Sequence, residues 1–277
     1  ELMDHIIQST NEFVKDYGPV KMKDFSVVLV ATKDDFIRQT KGHSPEWSIA
    51  VAMPGLSKVV LQSPAITHMS MSRFMDVVVH ELNHIFVYRI KNSATFPAWF
   101  IEGLAMRSSG EFSILYKLRI SQAKWRNQLI PLSRLYSMQT QATQSVNLAY
   151  GQSAAAVDAM EYFYGQSVFS LIFETMDHSV KSGRHVDFYS AFKKTTGDDQ
   201  LDFQEKYLDF IRQNYNWLFL VEISSIIFVL LPIIVTGGYF YKRYRNKKKL
   251  QLWELEEALE ELGISGDQFN SENNLPN

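Results

Sequence analysis

From Ser72 to about Lys91 the chain is apolar on nearly every side of a helix, yet two histidines and a glutamate stand in its middle as His80-Glu81-Leu82-Asn83-His84. No other stretch constrains the fold as much. Met75, Val77, Val78, Val79, Leu82, Ile85, Phe86 and Val87 call for burial all round. Burying two imidazoles and a carboxylate among them is costly unless they are hydrogen-bonded or hold a metal. Positions i and i+4 lie one above the other on a helix face, so both imidazoles can converge on one ion with Glu81 beside them. The alternative for so short a pattern is a pair of core histidines satisfied by neighbours. With no cysteine in the chain, disulfides, thiolate ligands and a cysteine nucleophile are excluded.

An ion held by two histidines needs a third protein ligand. The segment Pro97-Ala98-Trp99-Phe100-Ile101-Glu102-Gly103-Leu104-Ala105 offers Glu102, 18 residues beyond His84. With His80, Glu81, His84 and Glu102, and with Trp99, Gly103 and Ala105 around the last, the chain resembles the gluzincin branch of zinc peptidases, in particular the peptidase MA-like families. A metzincin pattern fails, because Val87 stands where its glycine belongs and Ile90 where its third histidine belongs.

The resemblance implies a Zn2+ ion held by His80, His84 and Glu102, with Glu81 taking a proton from water and returning it to the leaving amine of a peptide or protein substrate. It also implies a tyrosine that steadies the oxyanion; Tyr150 is the candidate, with Tyr162 and Tyr164 competing. The strand Lys58 to Gln62 is expected to lend its edge to an extended peptide. One departure matters. Some members carry an acidic residue four positions after the glutamate ligand, where this chain has Met106. A group orienting the histidines is expected but stays unassigned; Asp76, one turn before His80, reads equally as a helix-start charge. That gap leaves a catalytically inactive zincin-fold scaffold as the alternative, against which the intact Glu81 argues. His43, His68, His178 and His185 lack ligand spacing, and Arg107 reads as half of a salt bridge.

The order of elements predicts an α+β fold, a small N-terminal sheet packed on a mainly helical lobe and zincin-like. A first helix over residues 1–17 turns Leu2, Ile6, Ile7, Phe13 and Val14 inward and stops at Gly18-Pro19. Strands are expected at Phe25 to Ala31, Ile49 to Met53 and Lys58 to Gln62, with a short helix capped by Thr32 or Asp34 after the first. Everything after Ser72 reads helical.

A second feature is the run from Ile223 to Tyr241, 19 residues without a charge. That is close to the ~20 needed for a transmembrane helix. Tyr215 and Trp217 at one end, and Tyr239, Tyr241 and Tyr244 at the other, suit interfacial belts. Six Lys/Arg follow within 242–249, so the C-terminus is expected on the cytoplasmic side. The expected organisation is an extracytoplasmic domain over 1–216, one span over 217–241, and a cytoplasmic basic cluster and acidic amphipathic tail over 242–277. Leu252, Leu255, Leu259 and Leu262 give that tail an apolar stripe that could dock a partner. Residues 1–216 hold 22 Lys+Arg and 22 Asp+Glu, a neutral balance with no footprint for nucleic acid. Glu1 in place of Met suggests a mature or trimmed N-terminus, and the absence of Asn-x-Ser/Thr leans toward a prokaryotic cell membrane.

Overall fold

A computed structural model of the chain describes residues 2–18, 24–42, 48–90, 96–135, 143–181, 187–215 and 218–261. The chain divides into two compact units, Glu1–Phe219 and Leu220–Asn277.

The first unit opens with α1 (Leu2–Tyr17), β1 (Ser26–Val30), α2 (Lys33–Thr40), β2 (Ala50–Met53) and β3 (Lys58–Gln62). The helix α1 buries Ile6 and Phe13 as expected, but Ile7 is 54% exposed: it lies one position, about 100°, round from Ile6 and falls off the buried stripe. Thr32 caps α2 by accepting the N–H of Asp35 at 3.1 Å. A 3₁₀ turn at Pro54–Leu56, closed by left-handed Ser57, joins β2 to β3. The sheet order is β1-β3-β2, with β1 parallel and β2 antiparallel to β3. This corrects the expectation that Lys58 to Gln62 offers an edge. Both sides of β3 are paired, and Val59, Val60 and Leu61 are buried on both faces, so β2 carries the free edge near the helices.

The helical lobe follows as α3 (Pro64–Thr67), α4 (Met71–Ile90), α5 (Ala98–Ser109), α6 (Ile114–Trp125), α7 (Thr143–Tyr164), α8 (Val168–Lys181), α9 (Phe188–Thr196) and α10 (Gln200–Tyr215). The expected α+β architecture is the one observed. Its centre is the crossing of α5 and α7, made close by small residues: a side chain at Gly103 would run into the Ser153 carbonyl and Val157. The helix α7 carries Ala149, Ser153, Ala154, Ala155, Ala156 and Ala159, all buried. An aromatic cluster of Phe96, Trp99, Phe100, Phe169, Phe173 and Phe188 fills the space beside this crossing.

The second unit is built on α11, which runs from Leu218 to Glu261 through Pro232 as one helix of 44 residues. The expected span and tail helix are thus parts of a single helix. Among the described residues, no helix is long and apolar enough to cross a membrane. Side chains of 216–226, where the expected span begins, lie outside the described residues. What is described of the apolar run, Ile227 to Tyr241, is 15 residues and falls short of the ~20 a span needs. Its side chains are exposed, as are Leu252 and Leu255 of the tail. Leu262 and the last fifteen residues lie outside the described part.

Candidate metal centre

Three helices and one strand converge on the site. The middle of α4 carries His80, Glu81 and His84, stacked by the helix period with ring centroids of the two histidines 4.9 Å apart. The helix α5 crosses behind it and presents Glu102, whose place depends on the neighbouring Gly103 letting α5 approach α7. From α7 comes Tyr150, its ring 6.5 Å from that of His80. These residues and β2 line one cleft of about 550 Å³, with Met106, Tyr116 and Val146 among its walls.

The donor atoms fit a metal. His80 Nε2, His84 Nε2 and a Glu102 oxygen lie within 4.8 Å of one another. Glu102 Oε2 stands 3.5 Å from His80 Nε2 and 3.7 Å from His84 Nε2, and is buried without a hydrogen-bond partner. A tetrahedral ion with bonds of ~2.0–2.1 Å spaces its ligand atoms about 3.4 Å apart. An orphaned carboxylate oxygen facing two imidazole nitrogens at that spacing is an arrangement that a cation would satisfy, and an N,N,O donor set suits zinc.

The orienting carboxylate that the sequence left unassigned is Glu111. Its Oε2 meets His80 Nδ1 at 2.7 Å, its Oε1 meets the Arg73 guanidinium at 2.8 Å, and Ser109 Oγ donates to it at 3.2 Å. Burial works to raise the Glu111 pKa, but His80 and Arg73 overcome it and hold the carboxyl below its ordinary value. As an ionised acceptor it makes His80 Nδ1 the donor and leaves Nε2 as the nitrogen that faces Glu102. Glu111 escaped sequence reasoning because it lies past the end of α5, where Gly110 turns the chain back through a left-handed conformation (φ 74°). That glycine is the one signal the sequence held. Asp76 makes no contact with the histidines among the described hydrogen bonds; burial raises its pKa.

The remaining electrostatics follow from burial and proximity. Burial disfavours a charged His80, but Glu102 and Glu111 outweigh it and raise its pKa well above 6.5. Burial also pushes Glu102 upward, and His84 and His80 pull it below the usual carboxylate range. For Glu81 burial wins, and its pKa is raised despite both histidines. A site that draws a proton so strongly onto an imidazole draws a divalent cation for the same reason.

The competing residues fall elsewhere. Tyr164 donates to Asp198 on the far side of α7, and Tyr162 is 59% exposed against Phe163 and Phe210. Arg107 is the salt-bridge residue the sequence suggested, pairing with Glu161 at 2.6 Å and Asp16 at 3.3 Å. On the core side of α4, Asn83 donates to Tyr17 Oη at 3.0 Å and Ser108 Oγ at 2.9 Å, tying the motif helix to α1 and α5. His68 closes α3 in a left-handed conformation, whereas His43 and His185, and the side chain of His178, lie outside the described residues.

A search of curated proteins finds no significant match. The Peptidase MA superfamily matches residues 8–212, which span the sheet, the motif helix, Glu102 and the lobe behind them; the chain belongs to this superfamily.

Proposed function

We propose that this chain is a zinc-dependent peptidase held at a membrane by α11. The observation that carries the hydrolytic reading is the orphaned Glu102 Oε2 between two imidazole nitrogens, with Glu81 in the same cleft. A zinc ion held by His80, His84 and Glu102 supplies Lewis acidity to a scissile carbonyl and to water. Glu81 accepts the proton of the attacking water at its carboxylate and later returns it to the leaving amine. Tyr150 lines the cleft and its pKa is pushed up, chiefly by burial and then by Glu102, so it stays protonated and donates to the developing oxyanion. The substrate is an extended peptide or protein segment lying in the cleft beside β2, the edge strand that borders it.

The inactive-scaffold alternative drew on the absent acid at Met106. The Glu111 carboxylate at His80 Nδ1 supports the active reading over it.

The membrane part rests on the 19 uncharged residues, the six Lys/Arg after them and the exposed apolar side chains of Ile227 to Tyr241. It puts 1–216 on the extracytoplasmic face of a prokaryotic cell membrane and 242–277 in the cytoplasm, where Leu252 and Leu255 offer a partner an apolar stripe.

Zinc content of the purified full chain, beside His80→Ala and Glu102→Ala, tests the metal; about one zinc per chain, lost in both variants, is expected. A chain that takes up no zinc after reconstitution sinks the peptidase reading. Cleavage of a peptide library, with Glu81→Gln as the inactive control, tests the reaction. Because the chain lacks cysteine, a single Gln251→Cys reports topology: labelling by an impermeant reagent in intact cells would refute the orientation.

A further inference from the structure

The outward edge of β2 contributes more to the site than its alanines suggest. Hydrogen-bonded residues alternate along an antiparallel ladder. The Ile49 carbonyl accepts the Gln62 N–H at 2.9 Å, so Ile49, Val51 and Met53 face β3, while Ala50 and Ala52 turn their backbone groups away from it. Such outward groups ordinarily meet water or another strand. Here two are taken by neighbours of the cleft. The Ala50 carbonyl accepts from Ser48 Oγ at 2.6 Å, and the Ala52 N–H donates to Glu81 Oε2 at 2.5 Å. Among the described residues, the Ala52 amide makes the only hydrogen bond to the Glu81 carboxylate.

A glutamate has three rotatable side-chain torsions, and its neighbours His80 and His84 are engaged with other partners. Something must fix it if it is to work beside them. We propose that the backbone N–H of Ala52 is the positioning group for Glu81, holding Oε2 against the sheet edge so that Oε1 is the oxygen that exchanges the proton. This rests on the peptidase reading. It places the base and the strand beside which a peptide would lie in one rigid frame, since a shift of β2 moves both. The amide is a charge-assisted donor, stronger than a neutral pair, and backbone donors do not relax as side chains do.

Ala52→Pro deletes this N–H alone, and proline is tolerated on an edge strand where its nitrogen faces away from the ladder. In the zinc-loaded full chain, kcat should fall about tenfold or more with KM nearly constant and zinc content unaltered, as small misplacements of a reacting group do. Ala52→Val, which restores the amide, should recover most of the lost kcat. An unchanged kcat, or a rise in KM alone, overturns the proposal; the second result would make the amide a substrate contact only. Hydrogen exchange of the Ala52 amide supplies a reading independent of turnover. It should be protected in the wild-type chain and exchange at least several-fold faster in Glu81→Ala. Equal protection in both overturns the proposal. If the wild-type chain cleaves no peptide, the peptidase reading fails, while the exchange experiment still decides the contact.

Discussion

Two half-buried carboxylates flank His80, and they could hardly be treated more differently. Glu111 has every demand met: an imidazole N–H, a guanidinium and a serine hydroxyl. Glu102 also reaches into the interior, yet its Oε2 has no hydrogen-bond partner. Evenly distributed satisfaction would suggest a structural ion-pair network. The asymmetry instead fits the proposed roles, in which Glu111 orients a ligand and Glu102 is one. Asp158 on α7 makes a third case. Burial raises its pKa to about 6, and the charges of Lys117 and Arg107 only partly offset that.

The division of roles between these carboxylates is most exposed to refutation at Glu102. Replacing it by alanine removes one of three protein ligands and should weaken zinc binding at least about a thousandfold, roughly 4 kcal/mol, given the 10–16 kcal/mol typical of whole zinc sites. Competition with a chromogenic chelator would measure it; retention within tenfold would assign Glu102 to structure.

Next in size, Gly103→Ala forces a methyl into the Ser153 carbonyl and Val157. A loss of about 3 kcal/mol in stability is expected from overpacking, read by denaturant midpoint, with zinc affinity falling as α5 is pushed off α7.

A finer test of the orienting role is Glu111→Gln. It should keep the fold and one zinc site but lower affinity about 10- to 100-fold. Arg73→Gln should do the same more weakly, by several-fold. An affinity loss equal to that of Glu102→Ala would erase the distinction between the two carboxylates.

Asp158→Asn has a modest effect, away from the metal. The Asp158 carboxyl sits at about 6 in the folded chain against an ordinary 3.8. Its contribution is fully present below pH ~4 and is lost as pH rises through about 6, because the unfolded chain ionises first. The asparagine variant should therefore gain about 1–2 kcal/mol at pH 7, after allowance for its partial exposure, and nothing at pH 3.5. Melting temperatures of both proteins across that range would show it. A gain that is the same at both pH values would rule out ionisation as the cause.

How much of this was legible follows from what kind of regularity each feature obeys. His80 and His84 obey the helix period with Glu81 beside them, and Glu102 was named through the family resemblance of Pro97 to Ala105, so all four could be put forward from sequence. Tyr150 could be separated from Tyr162 and Tyr164 only by knowing which face of α7 meets the cleft. Strand order follows no local rule. The central place of β3 was hinted at by the unbroken Val59-Val60-Leu61, against the small, alternating Ala50-Val51-Ala52 of β2, but the pairing had to be seen. Glu111 was hidden because it reaches its partner across a turn, where a periodic pattern stops. Ile7 shows the same limit on a smaller scale, since one position of rotation decides burial.

The turn at Gly110 has a consequence for how such a site can diverge. By sending the orienting carboxylate in from beyond the helix, it frees position 106 of α5 from any polar duty. Met106 can then serve as cleft wall, buried to 1% exposure yet lining the space a peptide side chain would fill. In the proposed peptidase, metal affinity and substrate preference would thereby sit on separate residues. Met106 could drift in size and shape, retuning which side chains are accepted, while the grip on the ion stayed where it is.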